Sequence, residues 1–263
     1  MTNTNIPVTN ASAKRITGYH LKMIALFTML IDHVGAVLLY RYIVAIHGYN
    51  DALLVGIYEL MRYVGRMAFP LYCFLLVEGF RHTKSVGKYA LRLGVFALIS
   101  EVPFDLAIEG TVWEPDYNNV FFTLLIGLLL IWGISYIERF YEFWKERNLD
   151  RFIGTLFTIA LGILLTAPAA FIAEYVLHTD YGMGGVLAIL VLYLLRNYRS
   201  LAYVAAVLIL YIFAGSTEIL ALAMLFPLSL YDGSRGKQTK YLYYAFYPAH
   251  LLVLGLLCMV LGI

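Results

Sequence analysis

Asp32 and His33 stand side by side in "LIDHVGAVLLY" (residues 30–40), inside an apolar run long enough to cross a bilayer. Histidine titrates near neutral pH and can take or give a proton, while a neighbouring carboxylate can orient or balance a charged partner. Both are costly in hydrocarbon, so ionisable residues at such depth point to function. His250 is placed in the same way in "KYLYYAFYPAHLLVLGLL" (240–257), ten residues past Lys240 and just after Pro248. Adjacent helical positions differ by about 100° in direction. Asp32 can therefore face one partner while His33 faces a cavity.

Two further segments carry charge into apolar runs. In "YELMRYVGRMAFPLYCFLLVEGF" (58–80), Glu59 and Arg62 are three apart, and Arg62, Arg66 and Pro70 follow at intervals of four. That spacing lines one helix face, and Pro70 removes the amide that would bond the carbonyl of Arg66, predicting a kink there. In the next run Glu101 and Asp105 are four apart with Pro103 between them. A cross-helix cluster of Arg62, Arg66, Glu101 and Asp105 is the cheapest way to hold these charges. Such a cluster serves equally well as structural glue or as a substrate contact.

The elements that position these residues follow from composition. The chain has 263 residues, 62% hydrophobic and 14% charged, against about 25% charge in a soluble domain. Its mean hydropathy is +0.77. This predicts an all-α, polytopic membrane bundle of about nine transmembrane helices, near 22–44, 56–80, 88–108, 119–138, 153–173, 183–195, 201–214, 216–230 and 241–262. The segments within 183–230 are short and could be tilted, broken or merged. Nine spans with a cytoplasmic N-terminus place 16 of the 19 Lys and Arg on the inside and leave the outer loops acidic, as the positive-inside rule requires. The basic balance is thereby accounted for, and no nucleic-acid partner is expected. Residues 1–263 read as a single transmembrane domain, with 1–20 a polar cytoplasmic leader lacking a signal peptide's apolar region. Residues 138–151 read as an interfacial helix with Phe140, Phe143 and Trp144 toward the membrane. Cys73 and Cys258 read as reduced membrane cysteines. No two histidines stand three or four apart, so no metal site is expected.

The connection "SLYDGSRGKQTK" (229–240) is glycine-rich and basic. Free amides beside Arg235, Lys237 and Lys240 could hold a phosphorylated ligand, although positive-inside bias also accounts for the cations.

Taken together, "LKMIALFTMLIDHVGAVLL" (21–39), "RYVGRMAFPLYCFLLVEGFRHT" (62–83), "KYALRLGVFALISEVPFDLA" (88–107) and "KYLYYAFYPAHLLVLG" (240–255) resemble the TraX family, which is named for a conjugative-plasmid protein that acetylates the N-terminus of pilin. The resemblance extends over nearly the whole chain. It implies a multi-pass protein of the bacterial inner membrane that moves an acetyl group from cytoplasmic acetyl-CoA to an amine or hydroxyl of a membrane-associated or extracytoplasmic acceptor. That acceptor could be a peptide, a glycan or a lipid-linked molecule, met among membrane lipids.

For such a reaction His33 is the expected base and His250 its rival, with Asp32 orienting a partner or balancing Arg66. Transfer through an acetyl-histidine is open as well. Arg81, Lys84, Arg235, Lys237 and Lys240 are the expected contacts of the donor's phosphates. Arg62, Arg66, Glu101, Asp105, Asn118, Asn119 and Asp180 are expected on the acceptor side. A proton-coupled secondary transporter is the alternative class, since it too needs buried charges and broken helices. Solute uptake without an acceptor would favour it, whereas stoichiometric CoA release favours the enzyme. A non-catalytic scaffold would tolerate loss of Asp32, His33 and His250 in every transfer assay.

Overall fold

A computed structural model describes residues 16–47, 49–147, 150–237 and 240–263, with the side chains of His47, Lys240 and Tyr241 excepted. The fold is all-α, and the strand-like pairing among these residues is limited to two isolated bridges, Ile16 with Tyr231 and Asn118 with Thr179. Helix α1 covers Gly18–His33 and continues as a π-helical stretch, Val34–Leu39, a short α-helical piece, Tyr40–Tyr42, and a second π-helical stretch, Ile43–His47. There follow α2 (Ala52–Gly65), α3 (Ala68–His82), α4 (Val86–Ile108), α5 (Val120–Glu146) and α6 (Arg151–Phe171, then π-helical Ile172–Val176). The chain continues with α7 (Gly182–Leu194), α8 (Arg199–Phe213), a 3₁₀ segment (Ser216–Met224), α9 (Leu225–Ser229) and α10 (Lys240–Leu261).

Helical segments lie where the sequence places them, but the expected count of nine crossings is not what they supply. Among the described residues five are long and apolar enough to span a bilayer: Gly18–Ile46, Ala52–His82, Val120–Glu146, Arg151–Val176 and Leu242–Leu261. Helix α4 has the length, 23 residues, but holds Lys88, Arg92, Glu101 and Asp105. Helices α7 and α8 have 13 and 15 residues, roughly 20 Å of rise, against a hydrocarbon core of about 30 Å. Ser216–Ser229 is similarly short. The surrounding protein encloses most of α7 and one face of α8, where Val186, Ile189, Val207 and Leu210 are fully buried, whereas Leu201, Ile212 and Phe226 stay exposed.

Local sequence explains the breaks. Asp51 caps α2, accepting from the amides of Leu53 and Leu54 at 3.0 and 3.1 Å. The kink expected ahead of Pro70 is a break between α2 and α3, where the chain makes a tight turn at Arg66 and Met67. Asn119 caps α5 by accepting from Phe121 N at 3.0 Å. Residues 138–146, expected within an interfacial helix, continue α5 without a break to Glu146, and 148–149 lie outside the described residues. Of the expected 1–20 leader, 1–15 also lie outside them. Ile16 pairs with Tyr231, and α1 already begins at Gly18.

The bundle has two chemically different ends. At the basic end Gly18 N donates to Ser234 O at 2.8 Å, Arg235 donates to the His82 carbonyl, and Arg199 donates to Tyr231 O at 2.6 Å. These contacts gather the start of α1, the end of α3 and the start of α8 under the 231–237 connection. At the acidic end Arg41 closes the last turn of α4 through Ala107 O at 2.8 Å, and Asn118 N donates to His178 O at 3.1 Å. Helix α10 lies along α4; this brings His250 to the interior.

Candidate active site

A cavity of about 1160 Å³ runs between the two ends. Its basic mouth is lined by Lys84, Lys88, Arg92 and Arg235, its waist by Tyr72, Tyr244, His33 and Asp32, and its acidic mouth by Arg62, Tyr117, Glu174 and Asp180. Its volume is somewhat above the range of about 300–1,000 Å³ usual for small-molecule sites.

At the waist, His33 Nδ1 lies 2.6 Å from His250 Nε2, with the two rings inclined by only 19°. His250 Nδ1 in turn lies 2.6 Å from the Phe246 carbonyl. His33 forms part of the cavity wall, whereas His250 is buried behind it. The π-helical stretch begins at Val34, directly after this pair of residues, and π-bulges in helices often sit at functional positions.

The residue beside His33 faces elsewhere. Asp32 Oδ2 is 2.9 Å from Arg62 Nη1, and Asp32 Oδ1 is 3.7 Å from Arg66 Nη2. Arg66 Nη1 reaches Glu218 Oε1 at 3.0 Å. Two carboxylates thus balance two guanidiniums, and Glu218 is fully buried. Gly65 makes room for this network: a Cβ there would come within 2.0 Å of Asp32 Oδ1.

The expected Arg–carboxylate cluster with Glu101 and Asp105 does not form. Glu101 Oε1 accepts from Asn119 N at 3.0 Å and from the Asn119 side chain, and Asp105 Oδ2 accepts from Glu114 N at 2.9 Å. Backbone amides of the α4–α5 connection bond one oxygen of each carboxylate, and Asp105 Oδ1 is buried without a hydrogen-bond partner among the described residues. The arginines meet Asp32 and Glu218 instead, which the sequence spacing did not reveal because Glu218 reads as a loop acid 152 residues beyond Arg66. Asn118 and Asn119 are likewise occupied, Asn118 by the carbonyls of Pro115 and Leu177 and Asn119 as a helix cap. None of these four lines the cavity. Asp180 does; its Oδ1 accepts from Tyr117 Oη at 3.0 Å. Burial pushes the Asp180 carboxyl up to about 6, against the lowering effect of the Tyr117 hydrogen bond and of Arg66.

Of the five cations expected at the donor's phosphates, Lys84 and Arg235 line the basic mouth. Arg81 is paired with Glu78 at 2.9 Å, and neither it nor the exposed Lys237 is part of the wall. The side chain of Lys240 lies outside the described residues. Lys88 and Arg92 line the mouth although spacing did not single them out. Both face inward from α4, one turn apart, a signal visible only once the helix is oriented.

The family profile described as TraX protein matches residues 17–258. The chain belongs to the TraX family. It is a multi-pass inner-membrane acetyltransferase, with the acetyl-CoA-dependent acyl transfer typical of TraX proteins to an extracytoplasmic or membrane-associated acceptor. The chain is also 27% identical, over 263 residues, to a probable fimbrial assembly protein FimC, serogroup H1, from Dichelobacter nodosus; the alignment covers 90% of this chain and 94% of that protein. No solved structure matches it. The TraX match takes in both ends of the cavity and both histidines at its waist.

Among the described residues no group of three or more His, Cys, Asp or Glu could hold a metal ion.

Proposed function

We propose that this TraX protein transfers an acetyl group within the cavity, with the donor entering at the basic mouth, the acceptor at the acidic mouth and His33 acting as the base between them. The observation that carries this reading is the position of His33 on the wall of a cavity that opens toward ends of opposite charge. The basic mouth is then the cytoplasmic one.

The wall residues fit a polyanionic thioester donor. Lys84, Lys88, Arg92 and Arg235 surround the basic mouth, and Arg92 Nε and Tyr243 Oη are buried cavity-wall atoms without a hydrogen-bond partner among the described residues. Such atoms cost stability unless a ligand engages them. Acetyl-CoA supplies an activated acetyl group. His33 Nε2 takes the proton released by the attacking amine or hydroxyl and hands it to the departing group. The paired charges of Asp32, Arg62, Arg66 and Glu218 fix the wall beside His33. Arg62 is the most exposed of the four and is free to touch the acceptor. The fimbrial assembly role named for the Dichelobacter relative fits an acceptor that is a protein subunit presented at the outer membrane leaflet.

The test uses purified protein in nanodiscs with acetyl-labelled CoA and two model acceptors, a short peptide with a free N-terminal amine and a hexose. CoA release should accompany label transfer to one acceptor, and His33→Ala should lower the rate by about 10²–10⁴-fold, the usual worth of a general base, with an unchanged melting temperature. Solute uptake into proteoliposomes with no CoA release would overturn the reading in favour of transport.

A further inference from the structure

We infer that His250 is a positioning residue: it holds His33 in the tautomer whose Nε2 is bare toward the cavity, and it takes over the positive charge once His33 is protonated. The inference rests on the reading of His33 as the base.

The tautomer follows from the hydrogen-bond chain. A backbone carbonyl only accepts, so His250 Nδ1, 2.6 Å from the Phe246 oxygen, must carry a hydrogen. In a neutral imidazole the other nitrogen is then a lone pair, and His250 Nε2 can only accept. His33 Nδ1, 2.6 Å away, must therefore donate to it. A neutral His33 that donates from Nδ1 has a bare Nε2, the nitrogen a base needs. The opposite tautomer of His33 would set two lone pairs against each other at that distance. Burial of His250 and its ring contacts with Phe246 (4.8 Å between centroids) and Tyr247 (5.9 Å) keep the second imidazole in place.

The same chain gives the charge somewhere to go. At rest the pair holds two ring protons, one on each Nδ1. When His33 Nε2 accepts a proton from the acceptor, the His33 Nδ1 proton moves along the hydrogen bond to His250 Nε2. His33 is then neutral with its proton on Nε2, and His250 carries two protons and the charge, next to the Phe246 carbonyl. The reverse shift returns one proton to the cavity, and no co-reactant enters. The groups near His33 are Arg62 and Arg66 from α2 and its end, and Tyr247 and His250 from α10, while the Asp32 carboxylate, next in sequence, turns to the arginines. Arg62 and Arg66 line the cavity together with His33, whereas His250 lies buried behind it. Moving the charge onto His250 takes it away from two like charges.

The test combines nitrogen NMR of histidine-labelled full-length protein in nanodiscs with the pH dependence of CoA release from acetyl-CoA, using the peptide amine as acceptor. His250→Gln retains an oxygen that accepts from His33 Nδ1 but cannot take the charge. His250→Phe retains a ring and offers neither. In wild type the bare-nitrogen signal of His33 should belong to Nε2. His250→Gln should keep that tautomer, lose about tenfold in kcat and shift the pH midpoint, since a coupled pair titrates as a unit. His250→Phe should lose the single tautomer and at least about a hundredfold in kcat. The inference is overturned if His250→Phe leaves both the His33 tautomer and the pH midpoint as in wild type. It is also overturned if His250→Gln, shown by its spectrum to be folded, matches wild type in rate and midpoint. Full activity in His33→Ala would instead sink the reading of His33 as the base.

Discussion

Two sets of buried polar residues lie toward the acidic half of the bundle, and they are built differently. The clasp of Glu101, Asp105, Asn118 and Asn119 binds the end of α4 to the start of α5, with bonds made largely to backbone amides and carbonyls. The wall set of Asp32, His33, Arg62 and Arg66, backed by the buried Glu218 and His250, is held mainly by side chain on side chain, and its first four members border open space. Backbone partners move only if the fold moves, so the clasp fixes structure. Side-chain partners facing a cavity can be exchanged for those of a ligand, so the wall can do chemistry. The kind of partner, more than the depth or charge of a residue, separates glue from site.

The largest effect should come from breaking the wall at its centre. Arg66→Ala leaves Glu218, fully enclosed, and Asp32 without their shared guanidinium. Removing one partner of a buried pair costs about 3–5 kcal/mol. We expect little monodisperse protein from this variant on size-exclusion chromatography. Arg66→Ala combined with Glu218→Ala should recover part of the yield but no acetyl transfer. Equal yields from the single and double variants would show that the Arg66–Glu218 pair is not what holds the wall.

The clasp should respond the other way round. Glu101→Ala leaves Asn119 N and its side-chain amide short of an acceptor at a buried helix start, a loss of about 1–3 kcal/mol. Melting temperature should fall while kcat per folded molecule stays near wild type. A fall in kcat larger than the fall in folded fraction would move Glu101 from the clasp to the site. At the basic mouth the effect should be smaller still. Lys84→Ala should raise KM for acetyl-CoA by about fivefold, on the scale of one exposed ionic contact, with kcat unchanged and the difference shrinking at high salt. Arg81→Ala, taken from the Glu78 pair outside the wall, should leave KM as it is.

Much of this was legible in the sequence, for physical reasons that also mark the limit. Apolar runs set the helices, and Pro70 set the break after Arg66, whereas the helix caps at Asp51 and Asn119 emerged only from the structure. The depth of Asp32, His33 and His250 singled them out because ionisable groups are rare in such runs. The number of crossings was not legible: a short helix buried in protein and a bilayer span have the same apolar composition, and α7 at 13 residues differs only in length. Partner choice was not legible either. Arg62 and Arg66 looked suited to Glu101 and Asp105 by depth alone, yet helix rotation and the α4–α5 connection decided otherwise. Glu218 had no signal, since nothing in "AGSTEIL" distinguishes a buried carboxylate from a loop acid.

Asp180 belongs to both sets and so tests the distinction most finely. It lines the cavity, yet it is clasped by the Tyr117 hydroxyl at 3.0 Å. Burial raises its carboxyl to about 6, from an ordinary value of 3.8. A carboxyl raised in the folded state contributes stability that is fully present below 3.8 and is lost as pH rises through about 6. Two full units amount to roughly 3 kcal/mol. Asp180 is only half-buried and lines the cavity, so solvent screening cuts the expected loss to about 1 kcal/mol by pH 8. Asp180→Asn keeps an oxygen for Tyr117 and does not titrate. Its melting temperature should therefore match wild type near pH 4 and exceed it by a few degrees near pH 8. No such divergence would mean that Asp180 is charged throughout, held by Arg62 and Arg66 as part of the wall rather than by Tyr117 as part of the clasp.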